Sequence, residues 1–174
     1  MPDIQIVYPQ AGPETLTVTM TVASLASSTT RLAGRQSAFV DNRTTRDIDH
    51  MVSGKIRMGT SPTAGRALEL WAVSPWGISS AGGRNWPDVF GDSDAAVTVT
   101  SDNIKHGTLR LVWSGLVDAT SDRDYTIPPT SLRDAFGNLP PFWALFLTHD
   151  TGVALNATAG AHFLGYQRIR YGTP

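Results

Sequence analysis

The sequence predicts an all-β protein, folded as a two-sheet antiparallel sandwich. Apolar and polar residues alternate with period two along much of the chain, whereas the period of an α-helix is almost absent. The 16 glycines and 11 prolines break the chain into short segments, which is typical of strands joined by turns. A jelly roll is the first expectation for the topology and an immunoglobulin-like sandwich the second. All of residues 1–174 are expected to form one domain.

The clearest strand spans residues 15–23. Its apolar face consists of Leu16, Val18, Met20 and Val22, and its other face of Thr15, Thr17, Thr19 and Thr21. Threonine is β-branched, which favours a strand, and its hydroxyl suits a hydrated or partner-facing surface.

Residues 47–58 and 67–73 predict a hairpin, because turn residues at 59–65 separate two alternating segments. In the first segment one face carries Ile48, His50, Val52, Gly54, Ile56 and Met58, and the other carries Asp47, Asp49, Ser53, Lys55 and Arg57. In the second, Leu68, Leu70 and Ala72 point inward, and Glu69, Trp71 and Val73 point outward.

The second half of the chain repeats this pattern. A short strand is predicted at 96–100, a longer one with Leu109, Leu111, Trp113 and Val117 on one face, and a last one at 162–171. Residues 142–148 are apolar on both faces, as expected of a central strand with both surfaces covered. Only residues 131–136 predict a helical turn, with Ser131 as its cap and Gly137 at its end.

Composition excludes several functional classes. The net charge of −1, with 17% charged residues, gives no basic field for nucleic acid. No apolar run approaches the roughly 20 residues that span a bilayer, so no membrane is expected as a partner. The chain has no cysteine, which removes disulfides and thiolate metal sites. No signal peptide is visible at the start, so synthesis in the cytoplasm of the producing cell is expected.

No motif for catalysis, a cofactor or a metal emerges from the sequence. The four histidines are scattered singly, without the spacing of a metal site. His149 beside Asp150 is the one pair that suggests a base and its orienting acid, although neighbours along a strand usually point apart. Two acidic loops suggest calcium, Asp88 with Asp92 and Asp94, and Asp118 with Asp122 and Asp124; ordinary turn and cap roles are the competing interpretation.

Two segments are candidates for partner binding. Residues 74–94 form a long loop that carries Trp76, Arg84, Trp86 and Phe90, residue types enriched at binding hot spots. The alternative is that its aromatic residues fold back and plug one end of the sandwich. Residues 27–46 are polar and contain Arg31, Arg35, Arg43 and Arg46, which predict either a subunit interface or a solvated loop.

Part of the chain resembles a known family. The run Leu25-Ala-Ser-Ser-Thr-Thr-Arg-Leu-Ala-Gly-Arg-Gln-Ser37, with Val52-Ser-Gly-Lys-Ile56 and Gly59-Thr-Ser-Pro-Thr-Ala64, is similar to small virion proteins of tailed bacteriophages. The resemblance covers about the first seventy-five residues. It implies a virion component on the head surface or at the head–tail region. Such proteins are commonly oligomeric β-sandwiches made in the bacterial cytoplasm without disulfides.

The expected function is therefore non-enzymatic: a head decoration or accessory capsid protein that docks on the major capsid protein and forms a homo-oligomer. Alanine at Arg31 or Arg35 is expected to weaken assembly more than folding. One alternative is a carbohydrate- or receptor-binding tail or fibre module, with Trp76, Trp86 and Phe90 as stacking platforms. The other alternative is a small hydrolase built on His149 and Asp150.

Overall fold

The chain forms antiparallel sheets that pack against each other, and the predicted all-β sandwich is confirmed. The computed structural model describes residues 5–7, 15–78 and 83–172. The strands are β1 (Gln5–Val7), β2 (Leu16–Thr17), β3 (Ala33–Gln36), β4 (Val40–Asp41), β5 (Asp49–Arg57), β6 (Ala67–Val73), β7 (Gly77–Ile78), β8 (Arg84–Asn85), β9 (Ala95–Thr98), β10 (Arg110–Leu116), β11 (Asp124–Ser131), β12 (Phe142–His149) and β13 (Phe163–Gly172). The helices are α1 (Asp102–Thr108), α2 (Leu132–Phe136) and a 3-10 turn (Ala159–Ala161).

Two sheets contain most of the strands. The first sheet has the order β1-β13-β5-β11, with β2 also paired to β13. The second has the order β10-β6-β12-β3-β9, with β4 also paired to β12, and β7 and β8 form a separate hairpin. The pairs β2–β13, β3–β12, β5–β11 and β6–β10 are nested in the chain and fall alternately in the first and the second sheet. Along the sequence, the outermost of these pairs, β2–β13, joins segments near the two ends of the described chain, and the innermost pair, β6–β10, lies nearest its middle.

The main core lies between the two sheets and follows the predicted alternation. Its fully buried side chains include Val52 and Ile56 of β5, Leu68 and Leu70 of β6, and Trp143, Leu145 and Leu147 of β12. Every residue of β12 is buried, as predicted for a strand with both surfaces covered. Its other face, with Ala144 and Phe146, belongs to a second apolar cluster outside the sandwich.

The helix α2 confirms the predicted cap. The Ser131 hydroxyl accepts a hydrogen bond from the Asp134 N–H at 3.0 Å, and Gly137 ends the helix with a φ of 80°. The helix α1 was not predicted, because Ile104 is the only large apolar residue in it and no helical period is visible. None of the described helices is long and apolar enough to cross a membrane.

The predicted hairpin of residues 47–58 and 67–73 is wrong: β5 pairs with β11 and β13 in the first sheet, and β6 pairs with β10 and β12 in the second. Other strand predictions also need correction. Only Leu16–Thr17 of the first segment pairs as a strand, although Val18 and Val22 remain buried and the intervening threonines exposed. The strands β3 and β11 were not predicted, since β3 is short and polar and β11 contains two adjacent prolines. Asp47 and Asp49, predicted on an outward face, are buried.

A bulge overturns the predicted face of β10. The register with β6 shifts between Leu111 and Trp113, so that Val112 is the residue that enters the core. Leu111 is consequently left 49% exposed, while Trp113 packs against the core from the next position. One extra residue in a strand reverses which side chains face inward.

Candidate functional site

The segment between β6 and β10, described at residues 74–78 and 83–109, includes the edge strand β9 and packs side chains against the outer face of the second sheet; we call it the cover. Phe90 of the cover is 7% exposed, and its ring meets the Phe146 ring edge-on, with 5.6 Å between centroids. The same cluster contains Trp71, Val73, Val99, Leu109 and Ala144. For Phe90, therefore, the second interpretation of this loop holds: the aromatic side chain folds back onto the protein. Phe90 packs on a face of the second sheet, however, and not at an end of the sandwich.

Arg84 and Trp86 are also used within the cover. The Asp92 carboxylate accepts hydrogen bonds from Arg84 Nε at 2.6 Å and from Trp86 Nε1 at 2.6 Å. The hydrogen bond from Arg84 lowers the pKa of Asp92. The guanidinium of Arg84 lies 3.8 Å from the centroid of the Phe39 ring. Both polar groups are therefore committed to internal contacts that fix the shape of the cover.

Arg35 joins the cover to β3. Its Nε donates to Asp94 Oδ1 at 2.6 Å, and the Asp94 carboxylate also accepts from the Thr21 hydroxyl at 2.6 Å. Burial raises the pKa of Asp94, but the hydrogen bonds from Arg35 and Thr21 outweigh it, so the pKa lies below its ordinary value. Next to it, the Gln36 amide donates to the carbonyl of Ser93 at 2.6 Å.

Arg31 belongs to a charged network beneath α1. Its Nε lies 2.9 Å from Glu69 Oε1, and its terminal nitrogen donates to Asp150 at 2.8 Å. Lys105 of α1, only 2% exposed, donates to the other oxygen of Glu69 at 2.7 Å. Because Arg31 and Arg35 both hold carboxylates of their own chain, alanine at either position is expected to reduce stability itself.

Trp76 is the predicted site residue that the fold leaves in solvent. It precedes the β7–β8 hairpin, its backbone N–H donates to the Asn85 carbonyl at 2.9 Å, and its side chain is 77% exposed. Ile78 on the same hairpin is also exposed. Residues 79–82, which belong to the predicted binding loop, lie outside the described residues. Of the three predicted stacking platforms, the structure presents Trp76 alone.

Sequence reasoning missed a second apolar surface on β10. Leu111 and Leu116 are exposed, the latter 69%. The alternation along β10 placed Leu111 inward, and no residue type marks the bulge that turns it outward. Gly115 beside Leu116 was the only available signal of an irregular strand.

The two acidic loops do not form cation sites in the described part of the chain. Asp88 binds Thr100, whereas Asp92 and Asp94 bind the arginines named above, so the three carboxylates have separate partners. Asp118 pairs with Arg123, and Asp124 with Arg57. Across residues 5–7, 15–78 and 83–172, no three histidine or acidic side chains converge on one point.

His149 and Asp150 point apart. The His149 ring is fully buried, with Nδ1 2.9 Å from the Thr151 hydroxyl and Nε2 3.1 Å from the Leu25 carbonyl. Burial lowers its pKa. The Asp150 carboxylate instead accepts from Arg31 and from the Ala67 N–H at 2.7 Å. Asp150 is therefore not placed to orient His149 as a general base.

Comparison with known proteins adds no relative: no family model, curated protein or solved structure matches this chain. Functional inference therefore depends on the geometry described above.

Proposed function

We propose that this chain is a non-enzymatic structural protein of a tailed-bacteriophage particle. In this proposal it is a head decoration or accessory capsid protein that docks on the major capsid protein through the hairpin beside Trp76. The observation that carries the proposal is the exposure of Trp76, which is 77% accessible on a fold that buries Phe90 and engages Trp86 internally. Exposed tryptophans are strong candidates for interface hot spots.

The strand order supports the same proposal. We infer that the nested pairs β2–β13, β3–β12, β5–β11 and β6–β10 make this sandwich a jelly roll. Jelly rolls occur in viral capsid proteins and in lectins. The resemblance of the first part of the sequence to phage virion proteins favours the capsid role.

A contact made by one tryptophan, Trp76, is small, and assembly on a symmetric lattice can compensate for this. A tryptophan side chain removes about 150–250 Å² from water when it is buried. One such anchor gives modest affinity, but many symmetric copies on one particle multiply the contacts. The internal ion pairs of Arg31, Arg35 and Arg84 contribute by keeping the hairpin on a rigid support.

The alternative is a carbohydrate- or receptor-binding tail module that stacks a sugar on Trp76. It rests on the same exposed indole and on the lectin occurrences of the jelly roll. Trp86 and Phe90 do not extend this platform, because one is tied to Asp92 and the other is buried. A glycan array separates the two functions: loss of glycan binding in Trp76→Ala supports the alternative, whereas no glycan binding by the unmodified chain removes it.

The decisive experiment is quantitative mass spectrometry of purified particles. One copy per major capsid subunit, or a simple fraction of that ratio, is the expected result. A few copies per particle would favour the portal, tail or fibre, and absence from the particle would overturn the structural proposal.

A docking experiment then tests the hairpin. Purified chain is added to particles that lack it, and bound protein is measured for the unmodified chain, for Trp76→Ala and for Tyr171→Ala, an exposed aromatic residue of β13 that serves as the matched control. Trp76→Ala is expected to lose binding at least about tenfold. Equal binding by all three chains would exclude the hairpin as the docking site.

A further inference from the structure

Within the described part of the chain, no strand pairs with the outer edge of β10, although α2 and β11 lie close to this strand. This strand pairs with β6 on one side and ends the strand order on the other. The Val117 N–H donates to the Arg66 carbonyl at 2.8 Å, toward β6. Backbone groups point alternately to the two sides of a strand. The N–H and C=O groups of Ser114 and Leu116 therefore point away from β6, along the free edge.

The other sheet edges have features that oppose further pairing. The edge strand β11 contains adjacent Pro128 and Pro129, and its register with β5 shifts across them. Proline cannot donate to a neighbouring strand, and bulges turn an edge away. The edge strands β1 and β9 have only three and four residues. In contrast, β10 has seven residues with no proline or lysine, and its own bulge lies between Leu111 and Trp113, before Ser114–Leu116.

The side chains along the β10 edge suit close approach of another strand. Leu111 and Leu116 stand opposite Trp71 and Ala67, which places both leucines on the outer sheet face, exposed. Between them, Gly115 has no side chain, and the Trp113 indole of the same strand occupies the space that a Cβ there would need, 2.6 Å away. The edge thus combines free hydrogen-bonding groups with exposed apolar side chains, an arrangement that proteins usually avoid on an unpaired edge.

We propose that β10 pairs antiparallel with β10 of a second copy of this chain, about a two-fold axis near Gly115. Ser114 of each copy then stands opposite Leu116 of the other, which uses the outward-facing groups of both residues. The second sheets of the two copies become one continuous sheet.

Charge complementarity selects a second copy as the occupant. Arg110 at the start of β10 has no carboxylate partner within the described ranges, and its terminal nitrogen lies 3.2 Å from the Leu109 carbonyl. Asp118 lies just beyond the other end of the strand, where its carboxylate is partly exposed and pairs with Arg123 of its own chain. Antiparallel pairing of two identical strands brings Arg110 of each copy close to Asp118 of the other, where Arg110 would share that carboxylate with Arg123 at both ends of the interface.

This surface differs from the Trp76 hairpin, and its test needs neither particles nor a capsid protein. If the chain fails to dock on particles, the dimer proposal is unaffected. If the chain is monomeric, the docking proposal is unaffected. The two proposals therefore fail separately.

Sedimentation equilibrium of the purified chain is the first test. We expect a reversible dimer for the unmodified chain and a monomer for Leu116→Lys, because two lysines then meet diagonally across the axis. Val89→Lys, which places lysine at an exposed apolar residue of the cover, is the matched control and should still dimerise. A monomeric unmodified chain at every soluble concentration would overturn the proposal, as would a dimer unaffected by Leu116→Lys.

Hydrogen exchange gives a readout that does not depend on a variant. The amides of Ser114 and Leu116 should exchange slowly at concentrations where the dimer forms and rapidly when it is diluted. Fast exchange in the dimer would assign the contact to another surface. Arg110→Glu, which opposes Asp118 with a like charge, should weaken association at least about tenfold at low salt and less at high salt. An unchanged dissociation constant would contradict the proposed register.

Discussion

The indole N–H of Trp143 donates a hydrogen bond to Nδ1 of His50 at 2.9 Å, and this bond joins the two sheets through the core. Trp143 belongs to β12 and His50 to β5, and both side chains are buried. Because the indole nitrogen can only donate, Nδ1 must accept and the proton of the neutral ring is on Nε2. That nitrogen lies 3.1 Å from the Asp47 carboxylate.

Acidification should destabilise the fold through His50. Burial lowers its pKa below the ordinary 6.5, with Asp47 partly opposing the shift. The unfolded chain therefore binds a proton more readily than the folded one below pH 6.5, so stability is full above that pH and falls as the pH drops toward the folded pKa. The loss is at most about 1.4 kcal/mol per pH unit for one histidine. Urea unfolding between pH 7.5 and 5 measures it.

His50→Gln is the matching variant. It should be less stable at pH 7.5 and show a shallower decline on acidification; His106→Gln, at an exposed position of α1, is the control. A slope that His50→Gln leaves unchanged would assign the acid sensitivity to another group, with His149 the next to test because burial lowers its pKa too.

Lys105→Met should cost about 3 kcal/mol. The change removes one partner of a buried ion pair and leaves Glu69 with Arg31 as its remaining cation. Lys55→Met serves as the control, because Lys55 is more exposed and shares Asp124 with Arg57; its cost should stay below about 1 kcal/mol. Chemical denaturation of both variants tests the difference. Equal costs would mean that the network beneath α1 contributes no more than a surface pair.

Gly34→Ala and Gly107→Ala should change stability in opposite directions. A Cβ at Gly34 would lie 2.2 Å from the Leu147 carbonyl oxygen, so β3 must move away from β12, at a cost of about 1–3 kcal/mol. A Cβ at Gly107 in α1 meets nothing within 4 Å, and alanine there should stabilise by about 0.4–1 kcal/mol. Thermal unfolding gives both values. Two shifts of the same sign would refute the geometry at one of the sites.

Phe90→Ala and Trp76→Ala should separate stability from binding. Phe90 fills the cluster under the cover, and its removal should cost about 3 kcal/mol. Trp76 is exposed, so its removal should change stability by less than about 0.5 kcal/mol. Denaturant midpoints measure the pair. A large loss of stability in Trp76→Ala would mean that the indole is part of the fold and would weaken its assignment to docking.

Local sequence pattern was sufficient for the strands β5, β6, β12 and β13 and for the helix α2. The alternation in β5 and β6, the continuous apolar run of β12 and the cap of α2 are all decided by near neighbours, as with Ser131 and Gly137. The bulge at Val112 and the pairing of β11 depend on the adjacent strand, which the sequence of one segment does not specify.

In the candidate site, too, local sequence predicts some features, whereas others depend on packing against distant segments. Trp76, Trp86 and Phe90 are alike in sequence, and only the packing of the cover against β12 distinguishes exposed from buried. Arg31 was expected at a subunit interface or in a solvated loop, and its pairing within its own chain was not predicted. Its partner Asp150 lies 119 residues away, too distant in sequence for spacing to reveal.

The nested strand pairs have a consequence for the rate of folding. The innermost pair, β6–β10, closes the loop formed by the cover, whereas β2–β13 must bring together segments near the two ends of the described chain. The entropy lost on closing a loop increases with its length, and proteins dominated by distant pairings fold slowly, in about milliseconds to seconds. The sandwich is thus expected to grow outward from β6 and β10, with β2 and β13 joining last.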